Sequence, residues 1–362
     1  MKVAIVHDWL IGGGAERVVK ALHEMYPEAP IYTAYCNDSS FEVFAGADIR
    51  TSYMQNFPFS KLRKFLPVLR QQWFERLDLR EYDLVISSSG SEAKGVRRLK
   101  PGAKHICYCH SPTHYYWVRY EEYLKNPGFG KLLDPFARLG LKILVGINRR
   151  WDYKAAQRPD VMIANSTTVQ ERIKKFYKRD SVVIYPPVNT KLFELRNKKR
   201  EGLVTAGRQT PYKRIDLAVA ACTLANLPLK VIGSGPDHEK LVAMAGPTVE
   251  FLTDVTDAEM PAYFAEAKAF IMPNEDDFGI TPVEALATGT PVVAFKAGGA
   301  LDYILPGKTG MFFTHQGSQV LAGMLKEALN HPWKPHVISD QAQKFSVDSF
   351  KKSIQAVIKD TL

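Results

Sequence analysis

Between Pro273 and Gly299 the chain reads P-N-E-D-D-F-G-I-T-P-V-E-A-L-A-T-G-T-P-V-V-A-F-K-A-G-G, which sets two acidic positions, Asp276 and Glu284, around a tight Phe278-Gly279-Ile280 turn. A carboxylate offers only acceptors and so suits vicinal hydroxyl groups, while Gly279 lets backbone N–H groups come close to a ligand. A helix expected from about Pro282 to Thr288 presents its positive N-terminus to phosphate. Such a loop suits a polyhydroxylated ligand and a diphosphate alike. The same demands recur in G-R-Q-T-P-Y-K-R, Gly207 to Arg214, where Arg208 and Lys213 follow the apolar run Leu203-Val204-Thr205-Ala206. Arginine forks onto phosphate oxygens and lysine adds a point charge. Both loops end an apolar strand of an alternating α/β chain, the place where such sheets bind ligands.

Two further constellations lie in the first half. Gly12-Gly13-Gly14-Ala15-Glu16-Arg17 follows the strand Val3 to Val6 and precedes a helix running to about Met25, so phosphate can approach that helix's N–H groups. The rival reading is a dinucleotide site and hence an oxidoreductase. Arg17 occupies the last glycine position of G-x-G-x-x-G, however, and no acidic residue closes a second strand about 20 residues on. His110 ends the strand His105 to Tyr108, at the carboxyl edge. His114, Tyr115, Tyr116 and Trp117 after it supply flat faces that either stack on sugar rings or pack the loop. His105, Cys107, Cys109 and His110 do not make a zinc site: residues 105, 107 and 109 share one face of one strand, which spreads ligands along a line.

Arg208, Lys213, the G-S-G of Gly233 to Gly235, the acid-x7-Glu stretch ending at Glu284 and G-G-A-E-R from Gly13 to Arg17 resemble the GT-B retaining glycosyltransferases of family 4, over nearly the whole chain. H-I-C-Y-C-H-S-P-T-H-Y-Y-W, His105 to Trp117, most resembles the mannosyltransferases that build bacterial O-antigen and other surface polysaccharides. The resemblance implies an α/β GT-B fold of two doubly wound, Rossmann-like parallel-sheet domains facing a central cleft. It assigns 1–187 to the acceptor, 188–345 to the nucleotide sugar, and 346–362 to a helix crossing back to the first domain.

By the same resemblance, hexose passes with retention from GDP-mannose to a polyprenyl-diphosphate-linked glycan. Glu284 holds the ribose hydroxyls, Arg208 and Lys213 the diphosphate, the backbone of Phe278, Gly279, Ile280 and Thr281 the sugar and phosphate, and Gly13, Gly14 and Gly233 further parts of the donor. His110 stands beside the donor sugar. The pattern departs at one point: the family's usual Glu eight residues before Glu284 is Asp276, with Glu275 one residue earlier, which leaves two candidates, Asp276 and Glu275, for the sugar contact. Glu275-Asp276-Asp277 also imitates the D-x-D of metal-dependent transferases. The spacing to Glu284 and the Arg208/Lys213 pair argue that side chains neutralise the leaving diphosphate, with no metal and no cofactor. A UDP-sugar donor (glucose or N-acetylglucosamine) and a non-catalytic sugar-nucleotide-binding protein are the alternatives.

At 362 residues the chain exceeds the size of one core, and 46% hydrophobic content supplies two. No apolar run approaches the roughly 18 residues of a membrane span, and M-K-V-A-I-V-H-D-W reads as a strand, so a cytoplasmic protein is expected. Four cysteines without framework spacing agree with a reducing compartment. The net charge of +10 calls for an anionic partner, and its distribution favours lipid headgroups or diphosphate over nucleic acid. From Arg50 to Arg80, Lys61, Arg63, Lys64, Arg70 and Arg76 interleave with Tyr53, Phe57, Phe59, Phe65, Trp73 and Phe74. That stretch is either a face lying on the inner, anionic membrane surface or an ordinary amphipathic helix with aromatic core residues. Lys131 to Arg150 carries the same two readings, of which core is favoured.

These residues are positioned by alternating strands and helices. Strands are expected at Val3–Val6, Ile31–Ala34, Leu84–Ser87, His105–Tyr108, Val161–Ala164 and Val182–Tyr185, then at Leu203–Ala206, Leu229–Ile232, Val249–Leu252, Ala269–Met272 and Pro291–Ala294. Helical crossovers between them force parallel sheets buried on both faces. The boundary is expected at Tyr185–Thr190, where Pro186 and Pro187 exclude helix, ahead of the charged run Arg196 to Glu201.

Overall fold

A computed structural model of the chain describes residues 1–362 apart from 63–65, 126, 128–129, 131 and 197. Arg63, Lys64, Phe65 and Lys131, named above, and Asn197 within the charged run therefore lie outside the described residues. The chain divides into two compact units, Met1–Tyr185 with Lys351–Leu362, and Pro186–Phe350.

In the first unit the strands are β1 (Val3–His7), β2 (Ile31–Thr33), β3 (Ile49–Thr51), β4 (Asp78–Leu79), β5 (Leu84–Ser89), β6 (Arg98–Leu99), β7 (Lys104–Cys109), β8 (Val161–Ala164) and β9 (Val182–Val183). Seven of them form a parallel sheet in the order β3-β2-β1-β5-β7-β8-β9, and β4 pairs with β6 alongside. All five residues of β1 are buried, as a central parallel strand covered on both faces requires. The register sets His7 opposite Ser88, and Ser88 opposite Tyr108. Strand order reverses between β1 and β5: the chain winds outward to β3, then returns to the other side of β1.

The second unit repeats that plan with β10 (Leu203–Ala206), β11 (Leu229–Ile232), β12 (Val249–Leu252), β13 (Ala269–Met272), β14 (Val292–Phe295) and β15 (Gly310–Phe313). Their order is β12-β11-β10-β13-β14-β15, all parallel, with the reversal between β10 and β13. The helices Ile215–Ala225 and Ser318–Asn330 bury Leu217, Val219, Leu321 and Leu325 against Leu203, Val231 and Val293 of the sheet. The charged run before β10 is docked at its end: Arg200 donates to the carbonyls of Ala267 at 3.1 Å and Thr288 at 2.8 Å, and the Glu201 N–H to the carbonyl of Glu266 at 2.6 Å.

The strands β3 and β15, and the two-residue strands β4 and β6, were not among those expected. Ile49-Arg50-Thr51 has one apolar residue, and Gly310-Met311-Phe312-Phe313 begins on a turn glycine. Both are edge strands; β3 can do with less apolar content than a central strand, whereas β15 is apolar and short.

Of the two stretches read two ways, one is narrowed and the other corrected. The Arg50–Arg80 stretch is not one face. Arg70, 2% exposed, forks onto Glu92 (Nη2 to Oε1 2.8 Å, Nε to Oε2 3.1 Å), and Phe74 belongs to the core with Leu79 and Tyr82. Apolar residues of the helix Pro67–Arg76 are not gathered on one side. The Lys131–Arg150 stretch is not core. In the helix Asp134–Ala156, Phe136, Leu139, Ile143 and Ile147 are 72%, 58%, 63% and 63% exposed, while its buried residues are Asn148, Asp152, Ala155 and Ala156.

This helix is docked by polar groups. Asp152, wholly buried, receives hydrogen bonds from Thr113 Oγ1 at 2.9 Å, Trp117 Nε1 at 2.7 Å and Tyr177 Oη at 2.7 Å, and pairs with Lys94 Nζ at 2.7 Å. Gln71 donates to Asn148 at 3.0 Å. Burial works against the Lys94 ammonium, but the Asp152 carboxylate outweighs it and holds Lys94 above its ordinary pKa.

Asp152→Ala strands a buried ammonium and three donors, and is expected to cost about 3–5 kcal/mol in urea unfolding; a loss under about 1 kcal/mol counts against this docking. His105 gives a second test. Its ring shares a 2.8 Å hydrogen bond with Ser87 Oγ, and burial lowers its pKa from 6.5 to about 3, outweighing the opposing pull of Asp160. The unfolded chain thus binds the extra proton between those values, so stability falls as pH drops below about 6.5 and this loss levels off near 3. His105→Gln should flatten that part of the stability–pH curve, measured by denaturation at stepped pH; an unchanged slope removes His105 as its source.

Candidate functional site

The loop after β10 carries both expected cations. The Arg208 side chain is exposed and makes no ion pair among the described residues. Lys213 lies in a short 3-10 turn, Pro211–Lys213, and its Nζ stands 2.5 Å from Oδ2 of Asp276. Because strand order reverses between β10 and β13, this ion pair spans the reversal, joining residues 63 positions apart. Both side chains retain access to solvent, 24% for Lys213 and 19% for Asp276.

The β10 loop is held in shape by Gln209, which is wholly buried. Its amide donates to the Gly233 carbonyl at 2.6 Å, its Oε1 pairs with His238 Nδ1 at 2.8 Å, and its backbone N–H donates to Ser234 at 2.9 Å. Gly233, at φ 111°, packs so closely that a Cβ there would stand 2.6 Å from the Gly207 carbonyl oxygen. Gly233 and Gly235 therefore serve contact between the two loops.

After β13 the acidic loop is pinned from below and behind. Phe278, 3% exposed, sits between Tyr303 and Phe345, with ring centroids 5.5 and 5.6 Å away. Gly299 N–H donates to the Asp276 carbonyl at 2.9 Å, and a side chain at Gly298 would collide with the same carbonyl. Gly279 caps the helix Ile280–Ala287, which starts two residues before the expected Pro282. Glu284 is buried on that helix at 2% exposure, whereas Glu275 is exposed. Of the two acidic candidates it is Asp276 that meets Lys213. Burial, then the Asp276 charge, raises the Tyr303 phenol well above its usual pKa.

In the first unit, Gly13 and Gly14 are exposed at the start of the helix Gly14–Met25. Glu16 braces their loop, accepting the N–H of Ile11 at 2.5 Å, the N–H of Gly12 and the Ser40 hydroxyl at 3.0 Å. Asp8, just past β1, accepts the N–H groups of Gly90, Ser91 and Ala93 at 2.6, 2.9 and 2.7 Å, which fixes the turn after β5 across the reversal point. His110 follows β7. Its Nε2 shares a 2.7 Å hydrogen bond with Ser88 Oγ, and His7 Nδ1 reaches the same hydroxyl at 3.1 Å.

The aromatic run after His110 serves packing. Tyr115 Oη donates to Glu92 at 2.9 Å, Tyr116 is 1% exposed, and Trp117 binds Asp152 and packs on Phe176 at 5.4 Å. The residues that sequence reasoning passed over are Gln209, Glu16, Asp8, Ser88 and His7. Glu16 had a local signal, an acid in the first turn behind three glycines. The others depend on strand register.

Comparison with known proteins places this geometry. The family model Glycosyltransferase Family 4 matches residues 12–192, and Glycosyl transferases group 1 matches residues 188–345. A GDP-mannose-dependent alpha-mannosyltransferase of Mycolicibacterium smegmatis is 33% identical over 112 residues, 31% of this chain and 30% of the relative. A GDP-mannose-dependent alpha-(1-6)-phosphatidylinositol monomannoside mannosyltransferase of the same organism is 27% identical over 170 residues, 42% of this chain and 44% of that protein. The matches thus span under half the length of these two relatives. HepE of Anabaena in complex with UDP superposes with a TM-score of 0.72 at 20% identity, covering 99% of this chain and 100% of that one. Sucrose-phosphate synthase of Thermosynechococcus elongatus gives 0.72 at 18%, covering 99% of this chain and 99% of that one. These likenesses are of fold, the GT-B type with two parallel-sheet α/β domains. With the first family model covering half of its residues, the chain belongs to glycosyltransferase family 4.

Proposed function

We propose that the protein is a retaining glycosyltransferase that moves mannose from GDP-mannose onto a glycan carried by polyprenyl diphosphate, in surface-polysaccharide synthesis. The observation that carries this reading is the solvent-accessible Lys213–Asp276 pair spanning the β10/β13 reversal, with Arg208 exposed on the same loop. The names of the two mycobacterial relatives favour mannose and guanine.

In this scheme the pair is a resting state of the site. An arriving diphosphate draws the Lys213 ammonium, and Asp276 is released to accept from a sugar hydroxyl. Arg208 forks onto the same phosphates, and the two cations absorb the charge that develops on the departing diphosphate, without a metal ion or other cofactor. Glu284 accepts from the ribose hydroxyls, and the backbone N–H groups of Phe278, Gly279, Ile280 and Thr281 meet sugar and phosphate at the head of their helix. Gly233 lines the donor, Gly13 and Gly14 contact phosphate, and His110, oriented through Ser88, lies by the sugar. Glu275 is the alternative to Asp276 as the sugar contact. The protein would act in the cytoplasm, at the inner face of the membrane that holds its acceptor.

Incubation with GDP-mannose, UDP-glucose and UDP-N-acetylglucosamine, timing nucleotide release, is expected to favour the guanine donor; equal or faster release from a uridine sugar refutes the donor assignment. Arg208→Ala and Lys213→Ala should each lower turnover about 10²-fold or more, and Asp276→Asn should lower it while leaving nucleotide affinity nearly intact. Glu284→Ala should weaken donor binding by about tenfold or more in calorimetry. Unaltered kinetics in the Arg208 and Lys213 variants would defeat the site assignment.

A further inference from the structure

The helix Asp134–Ala156 is turned inside out relative to the usual arrangement. Leu132 just before it, and Phe136, Leu139, Ile143 and Ile147 along it, recur every three or four residues and share one face, all more than half exposed. From Phe136 to Ile147 the stripe runs about 16 Å along the axis. Its opposite side is committed to the Asp152–Lys94 network, so the apolar side cannot turn inward without leaving a buried ammonium unpaired.

Charge identifies what covers this face. Lys142 is exposed beside the stripe, and Arg150 and Lys154, both exposed, continue it at the same periodicity toward the C-terminal end. The helix has two carboxylates: Asp152 is buried, and Asp134 falls on the side away from the stripe by the 3.6-residue repeat. The nearest other acid in sequence, Asp160, lies past the end of the helix and accepts the backbone N–H of His105 at 2.7 Å, and Glu121 and Glu122 lie on a separate short helix, Tyr120–Lys125. A second copy of the chain is a poor occupant. Packed antiparallel, it would press Arg150 and Lys154 against Leu132 and Phe136; packed parallel, it would set cation against cation. A bilayer with anionic headgroups accepts both halves, burying the apolar side chains at the acyl boundary and leaving Arg150 and Lys154 at the phosphates. No helix among the described residues is long and apolar enough to cross a membrane, so this one lies on it.

We propose that the exposed Leu132–Ile147 face of this helix docks the first unit on an anionic lipid bilayer. The inference deepens the reading of a membrane-held acceptor. It is measured without turnover, so its failure is distinct from failure of the transferase assignment.

The test is flotation of the full chain with vesicles of phosphatidylglycerol and phosphatidylcholine in equal parts, beside pure phosphatidylcholine. The unsubstituted protein is expected to float with the anionic vesicles, less so at high salt, and only weakly with the neutral ones. Phe136→Glu with Ile143→Glu, at positions already exposed, should lower the bound fraction by at least about tenfold with an unchanged melting curve. Lys142→Glu with Arg150→Glu should weaken binding at low salt and remove most of its salt dependence. The proposal is overturned if the protein stays unbound at low salt, or if the Phe136/Ile143 variant floats equally well. It is also overturned if the protein is a dimer that this variant splits, with no vesicle binding in either form.

Discussion

In each unit a right-handed crossover rule acts on a parallel sheet that grows in both directions from one inner strand, β1 in the first and β10 in the second. Winding outward one way and then the other sends the connecting chain to opposite faces, so the loops leaving the two strands at the reversal diverge and leave a crevice between them. The first unit closes part of its crevice with Asp8, whose carboxylate takes three N–H groups from the turn after β5. The second joins its two loops with Lys213 and Asp276. The candidate residues are the side chains that the strand ends deliver to those two places.

Two lysine–aspartate pairs show how burial separates structure from function. Lys94 and Asp152 have no exposure, and additional donors complete the aspartate's coordination; such a pair is costly to break and has no route to a ligand. Lys213 and Asp276 stay about one-fifth accessible. Water screens them, the pair costs less to open, and an anion can exchange for the carboxylate. The loops around them are held elsewhere, by Phe278 under the acidic loop and Gln209 under the basic one, so opening the pair need not disorder either loop.

The pattern of 50–80 left a basic aromatic surface and an amphipathic helix with aromatic core equally open, and that of 131–150 favoured core; the described residues bury Arg70 and Phe74 of the first and expose the apolar face of the second. Arg70 is buried because Glu92 and Tyr115 supply acceptors for its guanidinium, while Phe136 and Ile143 are exposed because polar groups occupy the inner side of their helix. An amphipathic period fixes which residues share a face. It does not say which face turns inward when the polar one carries a buried ion pair.

The sequence by itself determined the alternation of strands and helices, the parallel sheets, and the loops bearing Arg208, Lys213, Asp276 and the glycines, because all of these are written in spacings of a few residues. The edge strand β3 was missed for want of apolar residues, and the apolar β15 because it is short and opens on a turn glycine. Only the tertiary structure decided that Asp276 meets Lys213, that Ser88 links His7 to His110, and that Gln209 carries the loop contact. Those pairings depend on the order and register of strands far apart in the chain, and no local pattern records which strand lies beside which.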